Sequence, residues 1–196
     1  MARAKKTPGE LTLTERARRA QLIEATVALV ADRGYAGASL SGIAERAGIT
    51  KAAVLYHFPT KNAVVRAARE HVLSALIEHV AAAVGAAGSE GAPTAYVRAM
   101  VGYLREHPRQ TRMITEAMAH GDERYDPAER WGPLAELIDT ARRARGARTE
   151  RDARTLAIIA GGAIDAIVAE QLTDPDYDTS AAAEELVDML DSALAS

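Results

Sequence analysis

The sequence predicts an all-α protein with a three-helix helix-turn-helix head followed by a helical body, about nine helices in total. Three observations carry this. Ala, Leu, Arg and Glu dominate, β-branched alternation is scarce, and no run bounded by turn residues reads as a strand. Capping residues recur just ahead of apolar stripes with helical spacing. The chain has 196 residues and no cysteine, which is long enough to bury a core without disulfides or thiolate metal sites.

The first helix is expected after Thr12, whose capping-box partner is Glu15, and its stripe of Leu22, Ile23, Val27, Leu29 and Val30 should end at Gly34. Ser39 caps a second helix carrying Leu40, Ile43, Ala44 and Ala47, closed by Gly48, and Thr50 caps a third from Lys51 to about Phe58. Pro59 stops that helix, because the residue before a proline avoids helical geometry. A long fourth helix, from Lys61 to about Val84, keeps Val64, Val65, Ala68, Val72, Leu76 and Val80 on one stripe. The Gly-, Ala- and Ser-rich run from Gly85 to Pro93 reads as a loop. Further helices are expected over Thr94 to Glu106, Pro108 to His120 and Pro127 to Arg145, with Pro133 an alternative start for the last. Thr149 with Asp152 opens one to about Leu172, and Asp178 to Ser180 one to about Leu194. The expected organisation is a basic tail over 1–13, a head over 14–60 and a body over 61–196.

Charge divides along the same line. Residues 1–61 hold ten Lys/Arg against five Asp/Glu, a net of +5, whereas residues 62–196 hold fourteen against twenty-two, a net of −8. A basic head suits contact with phosphates, and an acidic body stays off them. The N-terminus MARAKKTPGELTLTER lacks the apolar core of a signal peptide, and no later stretch has 18 uninterrupted apolar residues. A soluble, cytoplasmic protein with no membrane partner is expected.

Two crossing helices need a small residue at their contact and a residue tolerant of positive φ in the turn. Ala44 and Gly48 fit. Ile43, Ala47, Ile49 and Val54 then tie the pair to the first helix, and Lys51, Tyr56 and His57 remain outward. The stretch ASLSGIAERAGITKAAVLYHFPTKNAVV, residues 38–65, resembles the TetR family of regulators, as does the Gly34-Tyr35 pair before it. The resemblance covers residues 14–65 in sequence and only architecture beyond. One departure is evident: the family commonly has a Leu-Tyr pair where this chain has Val54 and Leu55, so the tyrosine is displaced to Tyr56.

The resemblance implies a dimeric, ligand-responsive repressor of a pseudo-palindromic double-stranded DNA operator, released by a small-molecule effector of unknown identity. By position, Lys51, Ala52 and Ala53 face base edges, where Lys51 alone hydrogen-bonds by its side chain. The two alanines either touch thymine methyls or simply allow close approach. Ser39, Thr50, Tyr56, His57 and Lys61 are phosphate candidates, and Ser41 reaches the groove edge. Ser39 and Thr50 are caps with or without DNA, and His57 packs under Phe58 in the alternative reading. Arg3, Lys5 and Lys6 form either a DNA-contacting arm or a solvated terminus.

In the body, LAIIAGGAIDAIVAEQL is apolar on nearly every side, which calls for a partner subunit as cover. Gly161, Gly162, Ala163 and Ala166 permit close helix approach. Ile158, Ile159, Gly162, Ala166, Leu186 and Leu190 are the expected homodimer residues, with Val187 and Met189 alongside. Met100, Tyr103, Met113, Met118, Trp131, Leu134 and Ile138 are candidates for an apolar effector cavity, or else core. Enzymatic chemistry is not expected, nor a cofactor or metal. The histidines are His57, His71, His79, His107 and His120, and no His-Glu-x-x-His, phosphate loop or Gly-x-Ser-x-Gly occurs. His71 and His79 sit about 80° apart around one helix, unsuited to joint chelation. An activator, or a regulator that senses a protein, fits the same sequence.

Overall fold

In the computed structural model, residues 12–120, 127–146 and 152–195 are described. They form eight helices: α1 (Leu13–Gly37), α2 (Leu40–Arg46), α3 (Lys51–His57), α4 (Lys61–Glu106), α5 (Pro108–His120), α6 (Pro127–Arg145), α7 (Ala153–Thr173) and α8 (Thr179–Ala195). No strand occurs among the described residues. The expected roles of Arg3, Lys5, Lys6 and Thr149 lie outside them.

Local caps form where the sequence places them. The Thr12 hydroxyl accepts the Glu15 N–H while Glu15 accepts the Thr12 N–H, completing the box. Asp152 accepts from the Arg154 N–H, and Asp178 from those of Ser180 and Ala181. α6 starts at Pro127 and continues through Pro133.

The expected loop over Gly85 to Pro93 is instead helical, interrupted only at Gly88, whose backbone (φ 69°, ψ 172°) is open essentially to glycine alone. Ala86 and Ala87 before it have the highest helix propensity, and the helix resumes over Ser89 and Glu90, so one glycine breaks the helix without unwinding its neighbours. This break divides α4 into two segments and accounts for the ninth expected helix.

The described residues gather into two compact units, 12–71 with 113–120, and 72–112 with 127–146 and 152–195. In the first, α1 buries Leu22, Thr26, Leu29 and Val30, while α2 and α3 bury Ile43, Ala44, Val54 and the α4 start buries Val64, Val65 and Ala68. α2 lies close to α1 at Gly42, where a Cβ would stand 3.1 Å from Leu29 Cδ2. Ala44, expected where α2 crosses α3, is buried.

α1 is interrupted at Gly34 (φ 69°, ψ 171°). The interruption deprives the Tyr35 N–H of a helical acceptor, and the Glu116 carboxylate of α5 takes it at 2.7 Å. Lys61 Nζ donates to the Tyr35 carbonyl at 2.5 Å and sits 4.1 Å from the Tyr35 ring centre. The Tyr35 hydroxyl donates to Asn62 at 2.6 Å, and the ring stacks on His120.

In the second unit α6 packs on α7 and α8 around Leu134, Ile138, Ala157, Ala160, Ile164, Leu186, Leu190 and Leu194, with Val97 and Val101 of α4. α4 and α7 are long and apolar enough to cross a membrane by composition, but each turns one stripe into a core.

The glycine break yields a graded expectation. Gly34→Ala should cost about 3 kcal/mol, because its φ/ψ region excludes side chains and an added Cβ would meet the Glu116 carboxylate at 3.1 Å. Gly48→Ala, with φ 65° but nothing within 4 Å, should cost about 1–2 kcal/mol. Glu116→Ala should cost about 1–3 kcal/mol by orphaning the Tyr35 N–H. Urea denaturation of the three variants checks the order.

Candidate nucleic-acid interface

α2, its turn and α3 form a closely braced pair. The Ala47 N–H donates to the Ile43 carbonyl at 2.9 Å, Gly48 takes φ 65°, and the Ile49 N–H returns to the Ala44 carbonyl at 3.0 Å. Positive φ at Gly48 reverses the chain without a Cβ clash, which sets α3 against α2. The Ser39 hydroxyl accepts from the Gly42 N–H at 3.1 Å, and the Thr50 hydroxyl from the Ala53 N–H at 3.2 Å. Both residues therefore cap in the absence of DNA, as the sequence requires.

α1 holds the far ends of both helices by their unsatisfied carbonyls. Arg19 donates to the His57 carbonyl at 2.6 Å and lies 4.0 Å over the Phe58 ring; Gln21 donates to the Ala47 carbonyl at 2.9 Å. Guanidinium and amide donors at C-terminal carbonyls satisfy groups that the helix itself leaves open. Neither Arg19 nor Gln21 stood out in the sequence, because their acceptors are 38 and 26 residues away.

The candidate DNA contacts divide by position. Ser39, Ser41, Thr50, Lys51 and Ala52 are exposed, Ala53 and His57 are half-buried, and Tyr56 is 74% exposed. The Tyr56 hydroxyl is 3.3 Å from Glu15, and its ring meets His57 edge-on at 5.0 Å. The Phe58 face is covered by Arg19, and His57 packs beside Tyr56 rather than under Phe58. Lys61, read from sequence as a phosphate contact, is half-buried with its ammonium on the Tyr35 carbonyl and ring. Leu55 was absent from the expected set, yet it is 42% exposed on the outer side of α3. Its spacing from Lys51 and Ala52 was the available signal.

The expected cavity residues fall in both units. Leu134 and Ile138 are core, Met100 and Trp131 pack against that core, and Tyr103 is buried between His79 and His107 with its hydroxyl donating to Gln110 at 2.7 Å. Burial raises the Tyr103 pKa. Met113 and Met118 belong to the first unit, the former buried and the latter exposed. Large apolar side chains at helical spacing have gone where packing is densest. A shallow groove of about 470 Å³ lies elsewhere, between His79, Ala83, Ala95, Arg98, Gly102 and Arg105. Arg98 forks onto Glu184 with two 2.7 Å bonds; that hydrogen bonding raises the Arg98 pKa and lowers that of Glu184.

The expected dimer residues also separate. Ile158 and Ile159 of α7 are 46% and 61% exposed, and Gly162 and Ala166 are exposed beside them. Leu186 and Leu190 are instead inside their own chain's core, because α8 turns that stripe onto α6 and α7. The outward apolar side chain of α8 is Met189, 62% exposed.

Residues 22–68 match the family model described as bacterial regulatory proteins, tetR family. The chain is 38% identical over 84 residues to the HTH-type transcriptional regulator BetI of Burkholderia thailandensis, a match covering 43% of this chain and 42% of that regulator. It is 43% identical over 56 residues to BetI of Paraburkholderia phytofirmans, 29% of each chain. Thus the chain aligns with less than half the length of these relatives. Solved structures share the fold along nearly all of it. The fatty acid degradation regulator FadR of Bacillus halodurans has a TM-score of 0.71 at 20% identity, covering 95% of this chain and 96% of its own. The Bacillus subtilis transcriptional regulator FadR, solved in complex with stearoyl-CoA, has 0.70 at 17%, covering 88% and 97%. The head thus resembles the tetR family of bacterial regulatory proteins over residues 22–68, and the fold of the whole chain is similar to that of the solved regulators.

Proposed function

We propose that the chain is a homodimeric transcriptional repressor that binds a pseudo-palindromic duplex operator and is released by a small-molecule effector. The observation that carries the reading is the braced helix pair: α3 is capped by Thr50, pinned at its far end by Arg19, and presents Lys51 at the start of an exposed face. In a helix-turn-helix the start of the second helix meets base edges, and flanking caps and cations meet phosphates. Lys51, Ala52 and Ala53 are assigned to the major groove, and Ser39, Ser41, Thr50, Tyr56 and His57 to the groove edge and backbone. Lys61 is assigned two roles, with Tyr35 holding one of its N–H groups and others left for a phosphate. Such a protein works in the cytoplasm, where the DNA is.

Dimerisation is supported by the exposed face of α7. Ile158, Ile159, Gly162 and Ala166 present an apolar strip with Met189 of α8 alongside. A Cβ at Gly161 or Gly162 would meet nothing within 4 Å, so packing within the chain requires neither glycine. A two-fold axis through such a strip buries it against itself, and a dimer with two α3 helices would read half-sites about one DNA turn apart, ~34 Å. Effector release is supported by fold kinship with a regulator solved with stearoyl-CoA. The effector of this chain is left open as to chemistry. A coupling of about 1–3 kcal/mol changes operator occupancy 5- to 150-fold.

Ile159→Asp should turn the dimer into a monomer in sedimentation velocity and weaken binding to a two-half-site duplex far more than to a single half-site. A dimer that persists in this variant and in Met189→Asp would refute the assignment of this face. Lys51→Ala should bring specific and random duplex affinities closer together, whereas equal loss on both would remove its base-reading role. Lys61→Ala should reduce the slope of log affinity against log salt by about 1 and also lower the melting temperature; a lower melting temperature with an unchanged slope leaves Lys61 a purely structural cation. Loss of the target gene's repression on deletion, read as a transcript increase, distinguishes repressor from activator.

A further inference from the structure

The outward face of α3 is largely apolar for a helix on a basic head. Lys51 and Ala52 begin it, and Leu55 and Tyr56 follow one turn later, while Val54 and Phe58 are turned inward at 0% and 2% exposure. Leu55 neighbours Lys51 at i+4 and Ala52 at i+3. It is 42% exposed, so its side chain is not spent on the head's core. The Tyr56 hydroxyl is directed to Glu15 at 3.3 Å, which draws that side chain toward the start of α1. The centre of the face is therefore an apolar step, Ala52 and Leu55, beside one cation.

Charge decides what this step meets. The head is a net +5 over residues 1–61, and Lys51 shares the face, which favours a polyanion with apolar groups recessed behind its charges. Duplex DNA has that form. In the major groove the one apolar group on a base edge is the thymine C5-methyl. Leucine can neither accept from a base amino group nor donate to a phosphate. The geometry points to Leu55, with Ala52, as a specificity-determining contact that reads thymine in the operator through its methyl group. This inference rests on the DNA-binding reading and adds to it a base, a chemical group and a residue.

The test uses the full chain. Duplexes bound by the wild-type protein are selected from a random pool, and each thymine in the protected site is replaced by uracil, which removes only the methyl. At one or two positions in each half-site, affinity should fall about three- to tenfold, in keeping with the burial of one methyl or slightly more. Leu55→Ala should bind the thymine duplex as weakly as wild type binds the uracil one, and uracil should cause no further loss. Leu55→Met, which keeps an apolar reach, should restore most of the thymine preference. The melting temperature of each variant is measured alongside, and the uracil series on the wild type needs no variant at all. Selected duplexes that wild type binds equally well with uracil throughout would overturn the inference while leaving DNA binding intact. So would equal uracil losses in wild type and Leu55→Ala. A Leu55→Ala effect on sedimentation with no change in uracil response would assign the patch to self-association and overturn it. A pool that yields no bound duplex would overturn the DNA-binding reading and this inference with it.

Discussion

One interrupted helix organises the head. At Gly34 the chain leaves helical geometry; the Tyr35 N–H is left to find a partner from elsewhere, while its carbonyl accepts from the Ala38 N–H and has a second lone pair to offer. The N–H goes to Glu116 and the carbonyl to Lys61, so the end of α5 and the start of α4 are bound to the end of α1 through a single residue. Half-buried backbone groups are costly when unpaired, so the Glu116 carboxylate satisfies a donor that the break would leave open. The aromatic ring adds to it, with Lys61 near one part of the ring and His120 stacked on it. The same economy recurs where Arg19 and Gln21 of α1 take the last carbonyls of α3 and α2. α1 is thus the frame on which the two short helices hang. Neither has more than seven residues, too few to be stable without tertiary support.

That support has a functional consequence. A recognition helix reads bases only if its axis and rotation are held, and α3 is held at its first turn by Thr50, along its inner side by Val54, and at its last carbonyl by Arg19. What it then offers is set by rotation alone: Lys51, Ala52, Leu55 and Tyr56 outward, Val54 and Phe58 inward. Few of the outward groups hydrogen-bond to bases, so methyl contacts and DNA shape would have to carry much of the discrimination.

The body obeys a different rule. α7 is apolar around most of its circumference, and one helix cannot bury all of that against its own chain. Ala157, Ala160, Ile164 and Val168 enter the core, and Ile158, Ile159 and Ala166 are left outward. In the proposed reading, a second copy of the chain would supply the missing cover. Gly161 and Gly162 have no crowding within the chain to explain them.

Residues near one another in sequence determined much of this protein. Fold class, the caps at Thr12, Ser39, Thr50, Asp152 and Asp178, and the turn at Gly48 are all readable because each depends on interactions within a few residues. The head motif is readable for the same reason, being confined to a stretch of two short helices and a turn. Tertiary structure decided what depends on rotation and distance. Leu186, Leu190 and Met189 lie within five residues of one another on one helix, and only packing against α6 and α7 selects which is core and which is surface. The loop read over residues 85–93 shrank to one glycine, since only Gly88 leaves helical geometry there while the helix continues on either side of it. Lys61 gained a carbonyl 26 residues away and Tyr35 a carboxylate 81 residues away. Such pairs leave no periodic trace, because each forms only after the helices carrying its members have been packed together.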